Sequence, residues 1–173
     1  MSFNNLVFQK KRLENIYGLL TIISTNMDEM VKIAATIISI PIREPDCLLF
    51  IRNCKYAQAL LNDDLKGRIS SPPRYLQSMN RLKEDECMFK MSEWFHELET
   101  ELISLNERNC EEQVLVFDEI EEIEFTKKPS KLEQFVKETF FVSISFWINL
   151  FDRTKDVIFD QKKENDKNSC TCF

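Results

Sequence analysis

The chain has 173 residues, a formal net charge of −6 and 43% hydrophobic residues, a size and balance suited to one soluble globular domain with a single core. Only two glycines occur, which disfavours an all-β barrel and any glycine-rich phosphate loop, so the balance tips towards helices. The acidic charge, with Lys10-Lys11-Arg12 as the one basic cluster, argues against nucleic-acid binding.

Taken in chain order, Leu13, Ile16, Tyr17, Leu20 and Ile23 recur at helical spacing and predict a helix from about Lys10 to Ser24. Asn26 stands three residues before Glu29, a capping arrangement that predicts a second helix ending near Pro41. "IPIREP" (Ile40 to Pro45) reads as a rigid connector. The stretch from Asp46 to Asp64 is ambiguous, because Leu49, Asn53, Tyr56 and Leu60 fit one helix face while "CLLFI" alone fits a buried strand. "GRISSPPR" (Gly67 to Arg74) is the clearest loop.

The strongest local pattern follows. Met88, Met91, Phe95, Leu98, Leu102 and Leu105 step alternately by three and four, the spacing of an apolar helix seam, with Glu93, Glu97, Glu101 and Glu107 opposite. Such a seam serves either as a core-facing stripe or as a docking face for a partner helix. His96, the only histidine, lies beside it and reads as a surface or capping group.

"EEQVLVFDEIEEIEFTKK" (Glu111 to Lys128) gathers seven carboxylates around short apolar runs. It lacks the Gly turn of a calcium loop, and its acids are expected to face water rather than to ligate or catalyse. Val114 to Phe117, then Ile123 and Phe125 alternating with Glu124, favour two short strands. Val116, Ile120 and Ile123 on one face leave a helix as the alternative. After Pro129, Ser130 and Glu133 form a capping pair, and the segment from Phe140 to Phe151 is apolar nearly all round, so it is expected to be the most buried helix. It is too short to span a bilayer. "DQKKENDKNSCTCF" reads as a polar disordered tail.

The six cysteines (47, 54, 87, 110, 170 and 172) form no CxxC pair, and with one His they give no zinc spacing. The opening residues lack a secretory signal, so reduced thiols in an intracellular protein, cytoplasmic or nuclear, are expected. No nucleophile elbow, Walker loop, dinucleotide fingerprint or zincin helix occurs, which points away from an enzyme. A Cys47, Cys54 or Cys87 nucleophile working with His96 is a distant third possibility. "CTCF" matches the prenylation pattern at Cys170, although the polybasic second signal is missing.

The order of elements resembles the HORMA domain. A long helix with "MVKIAATII" runs into the turn "REPDCLLFIRNCKY", a second long helix surrounds "EWFHELETELISL", and a hairpin-like "QVLVFDEIEEIEF" precedes the long helix "KLEQFVKETFFVSISFWINLF". Pro45, Phe50 and Tyr56 sit about where that family places its turn residues. Glu44 stands where the family has an aromatic residue, no Arg-Gly pair precedes the turn, and little chain after Phe151 remains for the safety-belt strands. The resemblance implies a peptide-capturing adaptor of chromosome or autophagy complexes with a shortened belt.

These observations predict a predominantly helical α+β fold with one short β-hairpin near residues 113–126, an all-α bundle being the alternative. One domain spans 1–159, with a tail over 160–173. The expected function is a non-enzymatic interaction module that binds a partner peptide or helix through an apolar groove. Met88, Met91, Phe95, Leu98 and Leu102 are the candidate partner-binding residues. The alternative is a peripheral membrane regulator tethered at Cys170. No catalytic residue, metal or cofactor is expected; the partner is another protein, as homo- or hetero-oligomer, with no nucleic acid.

Overall fold

The computed structural model describes residues 3–65, 67, 82–119 and 131–169, with side chains over 10–65, 67, 82–105 and 131–169. Helix α1 runs Phe3–Ile38, α2 Glu44–Asp64 and α3 Glu84–Glu119. The last rod is α4 (Lys131–Phe135), a π-helical turn (Val136–Phe140) and α5 (Phe141–Ser169), with helical backbone angles through both junctions.

The predicted break at Asn26 does not occur. Asn26 Nδ2 donates to Ile22 O at 2.8 Å, and Thr21, Ser24 and Thr25 bond back to carbonyls of their own helix in the same way. A side chain that caps a helix start can instead back-bond within a helix. Buried Ile16, Leu19, Ile23, Met27, Met30 and Ala34 carry one apolar stripe across the position. The helix ends where Ser39 takes a left-handed φ of 54°, two residues before Pro41.

The ambiguous Asp46–Asp64 stretch lies in α2, with Pro45 in the first turn and Glu44 and Asp46 at the positive helix end. Past its far end Gly67 adopts φ 69°, and its N–H closes on Asn62 O at 2.9 Å.

The predicted hairpin near 113–126 is not found. Gln113–Glu119 continues α3, and residues 120–126 lie outside those described. Among the described residues there is no strand, so the fold there is all helical. The polar stretch after Phe159 is helical through Ser169 rather than a tail from residue 160. Lys162 pairs with Asp85 of α3 in its first turn, and adding residues to an existing helix costs little.

The helices pack as a four-helix bundle whose directions follow from cross-helix contacts. Gln58 Nε2 donates to Thr21 Oγ1 at 2.6 Å, and the short link 39–43 turns α2 back along α1. Arg12 meets Glu101 at 3.2 Å while Glu29 lies near the Cys87 thiol, so α3 is also antiparallel to α1. Asp85 pairs with Lys162 and Ser92 with Asp152, which sets α5 antiparallel to α3. Tyr56 against Phe135 and Phe50 against Trp147 set α4 and α5 antiparallel to α2. α1 is thus antiparallel to α2 and α3, and α5 to α3 and α2, while α2 and α3 run parallel, as do α1 and α5, which also touch.

An aromatic cluster fills the middle. The Phe50 ring lies 5.6 Å from Phe95, 5.8 Å from Phe140 and 5.8 Å from Trp147, and Phe95 lies 5.4 Å from Phe151. The π turn serves this cluster. Leu132, Val136, Phe140, Ile144 and Ile148 are all buried at steps of four residues. In a regular α-helix each such step drifts about 40° around the axis, since a residue turns about 100°. One wider turn cancels part of that drift and keeps the stripe on the core.

Candidate functional site

The candidate partner-binding seam is core. Met88, Met91, Phe95 and Leu98 are each 0% exposed and Leu102 is 1% exposed, on the helix that packs against the chain's own α1 and α5, with Phe50 of α2 against Phe95. The helix that α3 docks against is intramolecular. Cys170 lies outside the described residues.

The apolar surface left open is elsewhere. On α2 the buried residues Cys47, Phe50, Cys54, Ala57 and Leu61 step by three and four and use up one face. Leu48, Leu49 and Tyr56 lie outside that stripe and are 52%, 54% and 50% exposed. On α5 the core takes Ile144, Trp147, Ile148 and Phe151, and leaves Val142 75% and Phe146 56% exposed. The segment Phe140–Phe151 is thus not buried all round as its composition suggested.

The two groups lie on helices that meet through the core. Phe146 stands edge-on to Trp147 at 5.0 Å, Trp147 packs on Phe50 of α2, and Leu49 precedes Phe50 in the chain. Tyr56 leans on Phe135 at 4.9 Å, edge to face, so the α2 stripe also borders α4. Seam spacing alone did not find this face. Its signal was the surplus: apolar residues on α2 and α5 beyond the three-and-four stripe that each helix needs for its core.

The polar groups with chemical potential are three. His96 Nε2 lies 2.9 Å and 2.8 Å from the two Asp152 oxygens, and the buried Ser92 hydroxyl donates to Asp152 Oδ1 at 2.6 Å. This order, with the carboxylate between serine and histidine, leaves the serine unactivated: its proton goes to the acid, not to the imidazole. The arrangement ties α3 to α5.

The thiols are the second group. Burial pushes Cys47 up to about 11, helped by Asp28 and opposed by Lys32, and burial pushes Cys54 up further. Cys87 is raised by burial and by Glu29 and neighbouring acids. Thiols held protonated are poor nucleophiles and poor metal ligands. The third group lines an open cleft of about 300 Å³ where α1, α3 and α5 meet, between Ile37, Ile158, Glu84 and the Asp85–Lys162 pair. The Lys162 ammonium holds the Asp85 carboxyl below its ordinary range, and the pair satisfies itself across the cleft.

Among the described residues no group of three His, Cys, Asp or Glu is placed to hold a metal, and no helix is long and apolar enough to cross a membrane. No family model, no curated protein and no solved structure matches the chain.

Proposed function

We propose that the protein is a non-enzymatic interaction module whose docking surface is the outer face formed by α2 and α5. The observation that carries this reading is the exposure of Leu48, Leu49 and Tyr56 on α2 and of Val142 and Phe146 on α5, on a chain whose seam residues are already consumed by its own core. Contiguous apolar patches of several hundred Å² are uncommon on isolated soluble domains and mark contact sites. A partner helix or peptide laid on this face would remove the five side chains from water, and a few such anchors suffice for a specific contact.

The test is a photocrosslinking amino acid placed at Phe146 and, as a control, at the exposed polar position Asp156, in cells that make the protein. Protein adducts formed at 146 and absent at 156 are the expected result. Equal labelling at the two positions would remove the basis for this face.

A further inference from the structure

We draw no further inference here: the strongest candidate, the outer face of α2 that exposes Leu48, Leu49 and Tyr56 beside Arg52 and Lys55, carries nothing beyond the docking role already proposed, because nothing in the structure shows what covers it.

Discussion

Cys47 and Cys54 face the core from one side of α2, and their environments decide their chemistry. For Cys47, burial comes first, with Asp28 and Glu44 adding to it and Lys32 opposing, and the result is a thiol that ionises at about 11 instead of 9.0. The sign of the pH dependence follows. A thiol raised on folding favours the native state fully below the unfolded value of 9.0, and that contribution is lost as the pH rises towards about 11. Wild type should therefore lose stability relative to Cys47→Ala over pH 9 to 11, so the gap between their urea midpoints narrows across that window. A gap constant with pH would mean that the thiol titrates alike in both states. At neutral pH the same burial keeps the sulfur out of nucleophilic chemistry.

Elements were legible where one period dominated. The seam Met88 to Leu102 announces α3 because its spacing fits no strand, and it is buried as a core stripe should be. The acidic stretch was not legible, because Val114 to Phe117 is a short apolar run that a strand and a helix use equally well. What decides Gln113–Glu119 is the helix already running from Glu84, which extends at little cost. Asn26 misled for a related reason: its capping chemistry is real, but the carbonyl of Ile22 satisfies it inside α1. The exposed face on α2 and α5 was hidden because periodicity counts apolar residues, not the core area available to cover them. The α3–α5 tie was beyond reach, since Ser92 and Asp152 are brought together only by packing. Their energetics differ from those of His96, also on Asp152. Ser92 is buried, whereas the His96 and Asp152 side chains are 49% and 32% exposed. A double-mutant cycle of Ser92→Ala with Asp152→Ala should give a coupling of about 1.5–3 kcal/mol, as for a buried hydrogen bond to a charged group. The matching cycle with His96→Ala should stay below about 1 kcal/mol, as for an exposed pair. Equal couplings in urea denaturation would contradict this ranking.

At the scale of the whole molecule, the arrangement asks why four packed helices behave as a single unit. Neighbouring helices contribute local stripes, but Phe50 alone contacts rings from α3, the π turn and α5. Phe50 therefore carries long-range information that no helix holds by itself: it joins α2 to both diagonal and neighbouring elements across the centre. Trp94 and Trp147, in α3 and α5, are 9% and 2% exposed and report on two sides of that centre. If the core is one, loss of Phe50 must weaken all four helices together. Phe50→Ala removes a side chain that is 1% exposed and leaves a cavity lined by rings that cannot easily close it. The cost should be about 3–5 kcal/mol, a large part of the 5–15 kcal/mol typical of a domain this size. Urea unfolding of the variant, followed by Trp fluorescence and by far-ultraviolet circular dichroism, should shift to lower denaturant with the two signals still superimposed. Separate transitions, with helix content outlasting the burial of the tryptophans, would show that α2 docks onto a bundle of α1, α3 and α5 already able to stand without it.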